Sequence, residues 1–313
     1  MSQVRVRPFQ RTDREQVTAL VNAHIAAVIP GGSISVNGLL SFLEGESGEY
    51  VTNPWVAERV TLVAEQKNRI VATAHLLRYA DDPKVGSTYR NVGEILFLVF
   101  WPPSTLFPDT EKAARELLAG CAARLHSWRV ASVFADGTLP APGVFGVPEQ
   151  WPHVRELYRE HGFTEPMRTE LVLFARVADL ERPRSELAAV RTVGICGTRI
   201  SAVENGATLG FIEVDTNLDS GPRAARFGSW ADIGNLHIEK PKRRPELTGW
   251  LLGQAADWLE LAGATHLLSY ANAEFPAEAT LLETFGFRLL TSVGRGYTLQ
   301  QLGGVVGNEA NAV

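Results

Sequence analysis

The sequence predicts an α+β chain, of the three-layer α/β kind, in which one fold occurs twice. Three observations predict it. Short apolar strands alternate with amphipathic helices along the whole chain. The order β α α β β β α β α β over the first half returns as β β β β α β α β over the second, without the two early helices. A helix ending in Gly-Phe leads into a strand at equivalent places in both, "HGF" at 161–163 and "FGF" at 285–287. The expected organisation is a first domain over 1–178, a linker over 179–186, a second domain over 187–300 and a tail over 301–313. Each domain should be a mixed, mostly antiparallel sheet flanked by helices.

Element by element, "VRVRPF" alternates as a strand, and Thr12 or Asp13 caps the amphipathic helix "DREQVTALVNAHIAAVI". Ser35 starts a second helix, "SVNGLLSFLEG". The strands "VTLVAEQ" and "IVATAHLLRYA" flank the turn-like "KNR" as a hairpin. "VGEILFLVFWP" is apolar enough for a strand covered on both faces. The helix "DTEKAARELLAGCAARLHSW", the strand "ASVFADG", a helix stopped by Gly162 and the closing strand "TELVLFARV" complete the first copy. The charged, proline-bearing "ADLERPRSE" reads as the linker. In the second copy "AAVRTVG", "TRISAVENG" and "ATLGFIEVDTN" are strands. "ADIGNLHIEKPKRRPELTGW" then runs from a strand through a basic loop into a helix expected to start at Thr248. "THLLSYAN", "EATLLETFGF" and the closing strand "GRGYTLQ" follow, and the small, polar tail is expected to be disordered.

At 313 residues with 45% apolar side chains, the chain is long enough for two packed cores. Its net charge of −5 and pI near 5.9 argue against a surface built to neutralise nucleic acid or an anionic membrane. Cys121 and Cys196 are too few for a disulfide framework, and no CxxC pair suggests zinc, so a reducing cytoplasm fits and no metal is expected. The N-terminus lacks the apolar core of a signal peptide, and nowhere do ~18 consecutive apolar residues occur. A soluble, unexported protein is the expectation.

With these elements in place, the chain resembles the GNAT superfamily of acyl-CoA-dependent N-acetyltransferases, in a tandem form covering nearly its whole length. The resemblance rests on the order of elements, on strand, basic loop and helix at 231–262, and on the two Gly-Phe endings. It implies that the fourth strand of a copy splays from the fifth and holds the pantetheine arm of the coenzyme. The loop after that strand would resemble Q/R-x-x-G-x-G/A and hold the pyrophosphate. Unpaired N–H groups and the positive end of a helix dipole supply such a site without any particular side chain. In the second copy Arg243 takes the Q/R position, Glu246 the first glycine and Thr248 the last, with Leu247 between them and Gly249 one residue on. Lys242, Arg243 and Arg244 would offset the charge of Glu246. The alternative is a solvated basic turn capped by Thr248. The first copy puts Asp109, Lys112 and Ala114 at these positions and has no glycine, so the second copy is the expected coenzyme site.

Acyl transfer to an amine needs a base and an acid. The resemblance implies an acid early on the fourth strand and a tyrosine four residues before the Gly-Phe glycine. The first copy has both, Glu94 and Tyr158; the second has Asp232, but Leu282 replaces the tyrosine. The expected catalytic residues are therefore Asp232, Glu94 and Tyr158, with Tyr270, Tyr297 or solvent protonating the thiolate. Backbone groups of Leu236, His237 and Ile238 would polarise the acyl carbonyl, and Asn272 would lie near the pantetheine. Tyr158 equally suits a core position with a satisfied hydroxyl. The expectation is an acetyl-CoA-dependent N-acyltransferase acting on a small-molecule or peptide amine. An inactive acyl-CoA-binding or interaction protein, and coenzyme binding by the first copy, stay open.

Overall fold

The structure, a computed structural model of the chain, describes residues 3–45, 55–102, 109–195, 197–215, 229–239 and 244–299. In chain order the elements are β1 (Val4–Pro8), α1 (Arg14–Val28), α2 (Val36–Glu44), β2 (Val56–Gln66), β3 (Arg69–Tyr79), β4 (Val92–Phe100), α3 (Thr110–Ser127) and β5 (Ser132–Ala135). Next come β6 (Val147–Pro148), α4 (Pro152–Glu160), β7 (Arg168–Arg176), β8 (Ala188–Gly194), β9 (Gly197–Glu204), β10 (Ala207–Asp215) and β11 (Trp230–Ile238). The last are α5 (Arg244–Leu261), β12 (His266–Asn272), α6 (Ala277–Thr284), β13 (Arg288–Arg295) and β14 (Tyr297–Leu299). They form two compact units, Met1–Arg168 with Val293–Val313, and Thr169–Ser292.

The first unit is built on the sheet β1-β2-β3-β4-β5-β14. Lys67 and Asn68, at φ +50° and +60°, make the two-residue turn between β2 and β3. That left-handed pair matches the twist of the two strands. Helix α3 lies on one face, where Leu125 comes so near Gly93 that a Cβ there would be 2.5 Å from its side chain. Helices α1 and α2 cover the other face; Phe42 of α2 stacks on Phe97, ring centroids 6.4 Å apart. Ser35 caps α2 by accepting from the Gly38 N–H, as its sequence position predicts.

The second unit holds the strands β8-β9-β10-β11-β12-β7-β13 in that order. Asn205 and Gly206 repeat the left-handed turn at the equivalent hairpin. One face, carrying Ile200, Ile212, Val214, Ala231 and Ile233, packs on Leu247, Leu251, Ala255 and Leu259 of α5. Among the described residues no helix takes the place that α1 and α2 have in the first unit. The segment expected as a linker is tied to α5: Arg182 pairs with Asp257 at 3.2 Å and Glu260 at 2.5 Å.

The two closing strands exchange sheets. The sequence places β7 at the end of the first domain, yet it pairs with β12, Phe174 opposite Leu268. β14 returns to the first unit and pairs with β5, Thr298 opposite Phe134. The compact units therefore do not follow the linear boundaries at 178 and 187. Alternation shows that a segment is a strand but not which ladder receives it, and two copies of one fold offer each closing strand two equivalent places. The closing strand expected at "GRGYTLQ" is instead two strands, β13 directly after Phe287 and β14; Gly296, at φ +73°, turns the chain between them. The expected tail, 301–313, lies outside the described residues.

Candidate functional site

Both units put a β-bulge at the same point of the same strand. In β4, Leu76 faces Ile95 and His75 faces Phe97, so Leu96 is the extra residue. In β11, Val214 faces Ile233 and Glu213 faces Asn235, so Gly234 is the extra residue. Two residues before each bulge stands a carboxylate, Glu94 in one and Asp232 in the other. Each is paired in register with the parallel neighbour, Glu94 with Phe134 and Asp232 with Leu268. The sequence brought these acids together by type, and the register shows that they are structural equivalents.

Each acid accepts a hydrogen bond from a tyrosine on an adjacent strand. Tyr79 Oη donates to Glu94 Oε2 at 2.6 Å, and Tyr270 Oη to Asp232 Oδ2 at 3.2 Å. Burial disfavours the charged carboxylate, raising Glu94 to about 7 and Asp232 to about 6; Asp215 adds to the rise at Asp232. Both tyrosines work against that rise. A carboxyl poised near neutrality is suited to accept a proton.

Beyond the bulges the copies diverge. The Trp101 N–H donates to the Val71 carbonyl and the Glu239 N–H to the Leu209 carbonyl, at 3.1 and 2.9 Å. By strand alternation, the N–H groups of Leu98 and Phe100 in β4, and of Leu236 and Ile238 in β11, point away from the antiparallel neighbour. The parallel ladder of β11 with β12 ends at Asp232 and Leu268, so those of β11 face the side where the strands part. In β4 this stretch is sealed: Phe97, Leu98, Val99 and Phe100 are all at most 2% exposed. His153 of α4 sets its ring against Phe100 at 4.7 Å, and its Nε2 lies 3.1 Å from Nε2 of His24 in α1. In β11 the same stretch is accessible: Gly234, Asn235 and His237 are exposed, Leu236 and Ile238 half-buried.

The helix after β11 begins at Arg244, four residues earlier than expected, because Pro245 supplies a helical φ in the first turn and needs no N–H partner. Glu246, Leu247 and Thr248 are thus helical residues. Thr248 Oγ1 is buried without a hydrogen-bond partner among the described residues. Gly249 serves packing, since a Cβ there would lie 2.7 Å from Phe285 Cε1. Lys242, Arg243 and the side chain of Arg244 lie outside the described residues. His237 packs against Phe211 at 5.5 Å and lies 3.5 Å from Glu239. Asn272 Oδ1 accepts from the Glu274 N–H at 2.9 Å and so shapes the turn after β12.

Tyr158 belongs to the core of the first unit. It is fully buried, donates to the Asp136 carbonyl at 3.1 Å and packs on Phe163 and Tyr297; burial raises its pKa well above the ordinary value. Leu282, at the equivalent place in the second unit, is buried core. Sequence reasoning missed Tyr79, whose nearness to Glu94 depends on the register of β3 with β4. It also missed the Arg199–Glu213 pair of β9 and β10, 2.6 Å, whose carboxylate is 1% exposed.

No family model matches the chain, and no curated protein matches its sequence. Solved structures do match its fold. A tandem GNAT protein from the clavulanic acid biosynthesis pathway aligns with a TM-score of 0.64 at 12% identity, over 95% of this chain and 98% of that one. The fold is that of a tandem GNAT protein. A GCN5-related N-acetyltransferase from Sphaerobacter thermophilus aligns at 0.57 and 12% identity, over 94% of both chains. The glucosamine N-acetyltransferase region of a fungal multi-domain GH3 β-N-acetylglucosaminidase aligns at 0.62 and 14% identity. The alignment covers 95% of this chain and 38% of that protein. The expected GNAT fold is therefore present. Among the described residues no helix is long and apolar enough to cross a membrane.

Proposed function

We propose that the chain is a cytoplasmic acyl-CoA-dependent N-acyltransferase that moves an acetyl group to a primary amine, with the coenzyme held by the second unit. The observation that carries this reading is the contrast beyond the bulges. The N–H groups of Leu236 and Ile238 stand on an accessible strand, whereas those of Leu98 and Phe100 stand on a sealed one.

The residues present fit the coenzyme. The pantetheine amides would pair with the backbone of β11, and the pyrophosphate would sit at the start of α5. There the N–H of Leu247 has no carbonyl four residues earlier in the helix, and the Thr248 hydroxyl has no partner among the described residues. Glu246 opposes an anion; Lys242, Arg243 and Arg244 offset it. When bound, the coenzyme would supply the acyl thioester and leave as a thiol. Asp232 takes the proton that the amine loses, directly or through one water. Tyr270, bonded to Asp232, is placed to return it. The N–H groups near Leu236 polarise the acyl carbonyl.

A second reading, an inactive acyl-CoA-binding or interaction protein, is favoured by Leu282 standing where the first unit has Tyr158. The two are separated by following free thiol released from acetyl-CoA across a panel of small-molecule and peptide amines. Thiol release that depends on an amine and disappears in Asp232→Asn supports transfer. Acetyl-CoA binding with no release for any amine leaves the inactive reading standing.

A further inference from the structure

β8 and β1 are the equivalent first strands of the two copies, and each is the outer strand of its sheet among the described residues. β1 is blunted as an edge. It is five residues long, ties Arg7 to Asp13 and Glu65 and ends in Pro8, which has no N–H to offer. β8 has none of these devices. Its seven residues, "AAVRTVG", contain no proline and one charge, and those from Ala188 to Val193 are all exposed, Val190 to 44% and Val193 to 96%. The charge is drawn aside, because the Arg191 guanidinium lies over the Trp258 ring of α5 at 5.6 Å. Helix α5 packs on β9, β10 and β11 and leaves the outer flank of β8 bare.

Which backbone groups the edge presents follows from the ladder. Gly194 faces Gly197 across the two residues that join the strands, so this closing pair is hydrogen-bonded, and alternation directs the N–H and C=O groups of Ala188, Val190 and Thr192 to β9 as well. Those of Ala189, Arg191 and Val193 point outward. A row of outward N–H and C=O groups beside exposed apolar side chains is a template for another strand. We propose that β8 pairs antiparallel with β8 of a second copy of this chain, about a two-fold axis at Thr192, so that the second-unit sheets of two molecules run together. The inference concerns the second unit alone and stands whether or not that unit transfers acyl groups.

A second copy fits because the strand is self-complementary in this register. Arg191 lies opposite Val193 on both sides of the axis, and each such pair of outward-pointing residues exchanges N–H···O=C bonds. Thr192 faces Thr192 and Val190 faces Gly194, so no like charges meet and the central pair is a favourable one. Other registers are worse. A two-fold axis at Arg191 would set guanidinium against guanidinium; one at Val193 would set Arg191 against Ile195, beyond the end of the strand, and shorten the ladder. Edge pairing over seven residues hides less surface than a large obligate interface, so the dimer should be reversible and dependent on concentration.

The test is sedimentation velocity of the full chain over a roughly hundredfold range of concentration, up to ~1 mM. The wild type should pass reversibly from monomer to dimer. Val193→Lys sets an ammonium opposite the facing guanidinium on both sides of the axis and should weaken the dimer at least roughly tenfold. Oxidative cross-linking checks the register, in chains that also carry Cys196→Ser; Cys121 is buried. Thr192→Cys puts the two sulfurs on directly opposite residues, within the ~5.5 Å that a disulfide spans between Cα atoms, whereas Val190→Cys puts them roughly 13 Å out of step along the strand. Covalent dimer should form from the first variant and not from the second. A wild type that stays monomeric leaves the edge to a strand of another protein and overturns the proposal, as does a dimer untouched by Val193→Lys or equal cross-linking of both cysteine variants.

Discussion

The same cross-strand position is furnished in opposite ways in the two copies. In the first unit, Thr61 and His75 face each other, with His75 against the Phe42 ring of α2; a 2.8 Å hydrogen bond joins the pair, and burial holds His75 down at about 3. In the second unit the equivalent pair is Arg199 and Glu213, an ion pair, with Arg199 also over the Phe211 ring at 4.1 Å. Where helices cover the sheet, the pair is neutral. Where no helix among the described residues covers the sheet, it is charged and partly wet. The stretch beyond the bulge follows the same division, apolar and sealed in β4, accessible in β11. One copy fills this stretch with core side chains and the other leaves it accessible, and the proposed coenzyme site rests on that difference.

The comparison can be broken most sharply at the acids. Asp232→Asn should lower the rate of amine-dependent thiol release by roughly 10²–10⁴-fold, the range for a general base. Because Asp232 must be ionised to act and burial raises it to about 6, kcat/KM for the wild type should climb as the pH rises through that value. A flat profile between pH 5 and 8 would remove Asp232 from the role.

Smaller effects test the two cross-strand pairs. Arg199→Ala leaves a carboxylate that is 1% exposed without its cation and should cost ~3 kcal/mol in denaturant melts. That is the lower end of the range, because the guanidinium is itself a third exposed. In the first unit, His24 is fully desolvated and held down at about 4. Its folded pKa lies below the unfolded one, so its contribution is complete above pH 6.5 and is lost as the pH falls through 4. At pH 5 the loss should be about 2 kcal/mol, and His24→Phe should flatten that part of the profile. Glu94 has the opposite sign: its neutral form is favoured, and stability drains as the pH rises from 4.5 through about 7. Thr61→Val, which strands a buried imidazole, should cost ~1 kcal/mol. Arg11→Ala, breaking an exposed pair with Glu44, should cost at most ~0.5 kcal/mol.

Local patterns made much of this fold legible in the sequence. Strand alternation, the turn in "KNR", the Ser35 cap and the paired Gly-Phe endings each depend on neighbours a few residues away, and each is where it was expected. The exchange of β7 and β14 was not legible, because pairing is decided across ninety residues or more (His266 with Arg176, 266 − 176 = 90) between two equally suitable ladders. The site divides in the same way. Glu94 and Asp232 stood out by type and position along one strand, whereas Tyr79 and the two bulges follow from register alone. Pro245 hid the start of α5 by looking like loop.

The central claim is that the second unit holds the coenzyme, and its most direct measurement is the melting temperature with and without excess acetyl-CoA, for the wild type and for Arg243→Ala/Arg244→Ala. At about 100 times its dissociation constant a ligand that binds only the folded form adds ~2.7 kcal/mol. The account predicts a clear upward shift in the wild type that shrinks in the double variant. No shift, or a shift of equal size in both proteins, would contradict it.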